Sequence, residues 1–300
     1  MRDNDWHHHF AEVNGIAMHY VRHGQGMPLV LLHGWPEFWF TWHKVIPTLA
    51  RSFQVIAPDL RGFGQSDKPP GAALEAYTLD HHVDDLAALA DALELDRFGI
   101  VSHDVGAMVA QGYARRAPAR LAGLFFFNVP YPGVGGRWSE PEHLNEVWYQ
   151  GFNQQPWAAD LIGASRQNIR IYVGNMLAHW AHDSHAFDDD LEIWVDNFAA
   201  PGNLQGGFNW YSAIFPQRLA IMRGDLAPQP PIAVPTKVRW GRHDPVMRID
   251  FADRLPDYFT DLDFAPAPDA GHFVQYERPA YAAAEITTFF QDLERPGQDR

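Results

Sequence analysis

Two hydrophobic patterns alternate along the first part of the chain. Short continuous apolar runs, at residues 29–32, 53–56, 98–101 and 124–127, read as strands buried on both faces. Stretches of helical period lie between the last three. The clearest sets Val83, Leu86, Leu89, Ala90 and Leu93 on one face, with Asp84, Asp85, Asp91 and Glu94 elsewhere. Ahead of these, runs from Phe10 to Val13 and from Ile16 to Arg22 flank Asn14-Gly15, a pair suited to the positive φ angles of a tight hairpin. Continuous apolar strands interleaved with amphipathic helices predict a mostly parallel sheet covered on both sides.

The alternation stops near Pro130. From there to about Pro228 the pattern is helical and aromatic, and it holds six of the eleven tryptophans. The strand pattern resumes at Pro235 to Trp240. A further short strand is expected around Leu262 to Phe264, then a closing helix from Pro279 to about Leu293 and a frayed tail from Glu294. The expected organisation is one sheet domain in two parts, 1–129 and 229–300, with a helical insertion over 130–228.

Composition narrows the function. Apolar residues make up 46% of the chain, enough for a sizeable core. A formal charge of -14 disfavours nucleic acid as a partner. No apolar stretch approaches the roughly 18 residues of a membrane span, and the first residues lack a secretory pattern, so a cytoplasmic location is the default. The absence of cysteine excludes disulfides, thiolate nucleophiles and zinc–thiolate sites.

The chemistry centres on Ser102-His103-Asp104-Val105-Gly106, which joins an apolar strand to an alanine-rich helix. Small residues two positions either side of Asp104 allow a sharp turn that lifts its side chain above the sheet edge. Taken locally, Asp104 is a helix cap. A carboxylate there can also displace a leaving group at an sp³ carbon and form an ester. Other segments extend that option. His33-Gly34-Trp35-Pro36-Glu37 follows the first buried strand and can aim the Trp35 N–H at the site. The Val105 N–H would point into the same space, and two such donors form an oxyanion hole. Asp244 lies at the end of the resumed strand, and His272, in Asp269-Ala270-Gly271-His272-Phe273, follows the last one. The order Asp104, Asp244, His272 is nucleophile, acid, base. In the insertion stand Tyr149 and Tyr211, to which spacing alone assigns no role.

Together these segments resemble the soluble epoxide hydrolases of the α/β-hydrolase fold. His33-Gly34-Trp35-Pro36-Glu37 is similar to the family's His-Gly-aromatic-Pro turn, whose proline bond is typically cis. Ser102-His103-Asp104 resembles its nucleophile motif and Gly271-His272 its base motif. Tyr149-Gln150 with Gln155-Pro156, and Asn209-Trp210-Tyr211, resemble the two segments that supply its ring-opening tyrosines. The resemblance spans about residues 10–293. It implies an eight-stranded, mostly parallel sheet with a helical lid, and cofactor-free hydrolysis of an epoxide to a vicinal diol. Asp104 would attack the ring while Tyr149 and Tyr211 hold its oxygen. His272, oriented by Asp244, would activate water, and the N–H groups of Trp35 and Val105 would hold the oxyanion. Aromatic residues of the insertion point to a small apolar or aromatic epoxide as the partner, with water; a homodimer stays open. Trp35, Trp148, Phe152, Trp157 and Phe208 are candidates for the substrate wall.

Two rivals share the fold. Haloalkane and haloacetate dehalogenases use the same aspartate, but they need tryptophan or arginine after it to hold halide or carboxylate. Val105 and Met108 provide neither, and Asn128 stands where such enzymes tend to carry their acid. A catalytically inert binding protein would require a damaged constellation, and Asp104, Asp244 and His272 are all present. Other groups carry less. His7-His8-His9 and the set His179, His182, His185 read as solvated histidines, so no metal site is expected. Asp59 reads as a residue that fixes its own loop.

Overall fold

A computed structural model describes residues 6–227 and 229–295. Eight strands form one sheet: β1 (His8–Val13), β2 (Ile16–His23), β3 (Pro28–Leu32), β4 (Gln54–Pro58), β5 (Phe98–His103), β6 (Leu121–Phe127), β7 (Thr236–Gly241) and β8 (Leu262–Ala267). Their order across the sheet is β1-β2-β4-β3-β5-β6-β7-β8. β1 and β2 form the expected hairpin, with Asn14 at φ 46° and Gly15 at φ 77° in its turn. β2 pairs antiparallel with β4, and the strands from β3 onward pair in parallel. Every residue of β5, β6 and β7 is buried; β6 accordingly reads as an unbroken apolar run, whereas β7 carries Lys237 and Arg239, which pair with Glu285.

Helices cover both faces. Val83, Leu86, Leu89 and Ala90 form the buried side of the helix Leu79–Ala92. Thr78 caps it, its hydroxyl accepting the His81 N–H. The closing helix runs Pro279–Glu294. β3 has β4 on one side and β5 on the other, so the side on which the chain adds its next strand switches there. Ligand sites of open parallel sheets lie beyond the carboxyl ends of the strands at such a switch point. Leu32 pairs with Ser102 across it, so the Gly34-Trp35 turn and Asp104 leave the sheet side by side.

Between β6 and β7 the chain is helical, in Trp148–Phe152, Ala158–Gly163, Arg166–Trp180, Leu191–Ala199 and Asn203–Arg223. This assembly docks on the turn after β3. The Trp194 indole N–H donates to the Pro36 carbonyl at 3.0 Å. The Trp35 ring packs against Phe198, Phe208 and Tyr211. The long helix Asn203–Arg223 comes so close that a Cβ on Gly207 would lie 2.4 Å from that indole. Residue 228, the expected end of the insertion, lies outside the described residues, as does most of the expected tail. Among the described residues no helix is long and apolar enough to cross a membrane.

Candidate active site

β5 ends at His103 and the helix Val105–Arg116 begins two residues later, leaving Asp104 alone in the turn at φ 45°, ψ -114°. Few L-residues adopt that backbone, and such strain persists only where the surroundings impose it. Gly106 imposes it here. A Cβ at that position would come within 2.5 Å of the Leu32 carbonyl, whereas glycine lets its N–H reach the His33 carbonyl at 3.0 Å. The Asp104 side chain makes no capping bond to its helix, so the local expectation of a cap is not met. Its Oδ2 instead accepts the Trp35 N–H at 3.1 Å. The Val105 N–H is the first amide of the helix and has no preceding turn to accept it. The Trp35–Pro36 bond is cis.

His272 and Asp244 meet behind Asp104. The His272 Nδ1 lies 2.7 Å from Asp244 Oδ2, and both side chains are buried. The remaining acceptor capacity of Asp244 is filled. Oδ1 accepts the N–H groups of Val246 and Met247 at 2.8 Å each, and the Asn128 amide donates to Oδ2. Burial opposes the Asp244 charge, but His272 and these donors hold its pKa below the usual carboxylate value. Burial likewise opposes a charged His272. The charge and hydrogen bond of Asp244, helped by Asp104 and Glu37, outweigh it and raise His272 to about 9.

Two contributors escaped the sequence analysis. Asn128, noted there only as a non-acid, sits just past β6 at φ 42°, where it holds Asp244 by Nδ2 and accepts the Gly241 N–H at 2.9 Å by Oδ1. Asparagine is one of the few residues at ease with positive φ, and that was its only signal in the sequence. Glu37 is the second. It is fully buried, accepts the Gly34 N–H at 2.7 Å and the Gln275 amide at 2.8 Å, and pairs with His103 at 2.6 Å. The His103 ring stands 4.5 Å from that of His272. Burial would raise the Glu37 pKa, yet His103 and the other donors pull it down to about 2.

Above Asp104 lies a cavity of about 800 Å³ bounded by the core and the helical insertion. Asp104, Val105, Tyr149 and Tyr211 all line it. The two tyrosine rings are edge-to-face with centroids 5.6 Å apart. Burial first, then the Asp104 charge, push the Tyr149 phenol above its ordinary pKa. Tyr211 is pushed up by burial first, with Tyr149 and Asp104 adding to it. Both phenols are therefore neutral donors at neutral pH. The Gln150 amide donates to the Tyr149 oxygen at 3.2 Å.

The expected substrate wall requires correction. Trp148 and Trp157 are 49% and 52% exposed and line no part of this cavity. Neighbours on a helix point about 100° apart, so turning Tyr149 inward turns Trp148 out. Phe152 packs with Trp148, Trp157 and Tyr172 within the insertion. Phe208 is buried against Trp35 and Tyr172, and the Trp35 ring faces the insertion. The apolar wall is formed by Met108, Trp138, Trp210, Ile214, Val246 and Met247.

The histidine set of the insertion is dispersed. His179 pairs with Glu146 at 2.7 Å, His185 with Asp188 at 2.8 Å, and His182 stacks on His243. Asp59 fixes its loop by accepting the N–H groups of Trp39 and Gln65 at 2.8 Å each.

The fold defines an α/β hydrolase, and the sequence profile of the alpha/beta hydrolase fold matches residues 27–279. A soluble epoxide hydrolase of Corynebacterium sp. (strain C12) is 31% identical over 95% of this chain and 98% of its own length. The solved structure of epoxide hydrolase CorEH without ligand superposes with a TM-score of 0.83 at 28% identity, over 96% of this chain and all of that one. An epoxide hydrolase from Bacillus megaterium in complex with an inhibitor gives 0.82 at 25% identity, over 95% of this chain and all of that one. The chain belongs to the soluble epoxide hydrolases of the α/β-hydrolase family.

Proposed function

We propose that this protein hydrolyses a small apolar or aromatic epoxide to a vicinal diol through an ester on Asp104. The observation that carries this is the pair of neutral phenols, Tyr149 and Tyr211, packed edge-to-face at 5.6 Å and lining the same cavity as Asp104. We further propose that residues 130–228 act as a lid that brings both phenols to the substrate. In the first step an Asp104 oxygen attacks a ring carbon, the C–O bond breaks, and the alkoxide oxygen takes a phenol proton. Esterification removes the Asp104 charge, one of those that hold a proton on His272. His272 then loses its proton more readily; that proton, by way of solvent, restores the phenol that gave one up, and the neutral imidazole can accept one from water. That water attacks the ester carbonyl, the Trp35 and Val105 N–H groups receive the oxyanion, and collapse releases the diol and the Asp104 carboxylate. Asp244 keeps the imidazole oriented and its charge balanced. A dehalogenase working from Asp104 would need a donor for the departing halide, and neither Val105 nor Met108 supplies one.

Isotope position tests the ester. In a single turnover in ¹⁸O-water the diol should carry unlabelled oxygen from Asp104, and later turnovers should carry label. His272→Gln should accumulate a protein adduct with the mass of the epoxide, located on the peptide containing Asp104. Label in the first diol together with no adduct would defeat the ester route.

A further inference from the structure

The cavity contains a cation with no contact ion pair among the described residues. Arg218 lies on the long helix seven residues after Tyr211, two turns and about 10 Å along the axis, and lines the same cavity. Its guanidinium stacks over Trp138 at 4.1 Å, and among the described residues it forms no ion pair. Burial pushes its pKa below the ordinary value, the mark of a desolvated charge, although a guanidinium stays protonated. Arg115, on the helix that starts at the elbow, lines the cavity as well. It donates to Gln111 of its own helix at 3.1 Å and keeps a buried Nε without a partner. Arg116 and Asp80, also in the wall, pair with each other at 3.8 Å. That leaves two guanidiniums against the single carboxylate of Asp104, so the cavity interior is positive in a chain of net charge -14. Met108, Ile214 and Trp210 supply apolar surface in the same cavity.

Resting on the epoxide reading above, we propose that the substrate carries a carboxylate on an apolar spacer, and that Arg218 binds it while the oxirane sits at Tyr149 and Tyr211. Arg115 offers a second donor. A planar carboxylate matches the guanidinium fork, and a charge-assisted pair in a part-enclosed cavity is a strong contact.

Paired substrates test this: the terminal epoxide of heptenoate and its methyl ester. The wild-type protein should prefer the acid by at least about tenfold in kcat/KM, since about 1.4 kcal/mol corresponds to that factor. Arg218→Gln should bring the acid/ester ratio near one by raising KM for the acid, and Arg218→Lys should keep part of the preference. Equal or better turnover of the ester by the wild type overturns the proposal. So does an equal loss on both substrates in Arg218→Gln, which would mean that the charge acts on the phenols. If neither epoxide is hydrolysed, the epoxide reading fails, and unreactive heptanoate still reports on the anion site. Calorimetry should then detect salt-sensitive binding to the wild type that Arg218→Gln loses, and no binding to the wild type overturns the site.

Discussion

A buried carboxylate beside a histidine holds its charge only while its lone pairs are engaged. Asp244 has four such partners, in Val246, Met247, Asn128 and His272. Asn128 is the side chain among them that a single substitution removes, together with its acceptor for the Gly241 N–H. Asn128→Ala should raise the Asp244 pKa and weaken its hold on the imidazolium. One hydrogen bond to a charged group contributes about 1.5–3 kcal/mol, so ester hydrolysis should slow roughly 10- to 100-fold. Rapid-quench kinetics would then show ester building up before diol appears. A loss confined to ester formation would mean that Asn128 acts elsewhere. Asn128→Asp should be worse, because a second carboxylate against Asp244 forces one of the two to take up a proton.

At the scale of elements, legibility followed burial. β3, β5 and β6 were readable because both faces are covered and a nearly continuous apolar run has few alternatives; β7, which carries Lys237 and Arg239, was readable only as a strand pattern resuming after the insertion. The strand ends then located Asp104, Asp244 and His272 at one sheet edge, since a parallel sheet puts all its carboxyl ends together. The insertion was legible as helix but not as a surface. Trp148 and Tyr149 are adjacent aromatic residues, and which of them turns inward depends on how the helix is rolled against its neighbours. Asn128 and Glu37 act through partners up to 238 residues away, for which a local pattern has no signal. The roll of the long helix is set at Gly207, where a methyl group would meet the Trp35 ring at 2.4 Å. Gly207 and Tyr211 are four residues apart and share a helix face. Gly207→Ala should therefore push the helix away from Trp35, cost about 1–3 kcal/mol of stability and displace the Tyr211 hydroxyl. A fall in urea midpoint accompanied by a fall in kcat would report both effects. An unchanged kcat in a destabilised variant would separate the packing of the helix from the geometry of the phenol.

The two buried charge pairs behind Asp104 couple the site to the stability of the whole molecule, with opposite signs on the two sides of neutral pH. His272 is raised from 6.5 to about 9, so the folded state binds its proton more tightly than the unfolded chain. Its contribution is complete below pH 6.5 and disappears as pH rises through about 9. The downward shift of Asp244 is the other side of the same ion pair and adds no separate alkaline loss. Glu37 is lowered from 4.5 to about 2, so its contribution is complete above pH 4.5 and disappears as pH falls toward 2. These two pairs alone favour the window between about pH 4.5 and 6.5, with each limb worth on the order of 3 kcal/mol. His82 and His43, lowered by burial to about 3 and about 4, lose their own contribution as pH falls below 6.5 and move the maximum toward the upper edge of that window. Urea unfolding at pH 3, 5.5 and 9 would measure the two limbs. His272→Gln should flatten the alkaline limb, whereas Glu37→Gln should leave that limb and remove only its own part of the acid one, with the part due to His82 and His43 remaining. A His272→Gln protein that loses stability between pH 6.5 and 9 as steeply as the wild type would locate the alkaline-sensitive group elsewhere. The same measurement bears on the mechanism, because the charge of Asp104 is part of what holds the His272 proton. Asp104→Asn should thus move the midpoint of the alkaline limb to lower pH, in the direction that esterification is proposed to move it during turnover.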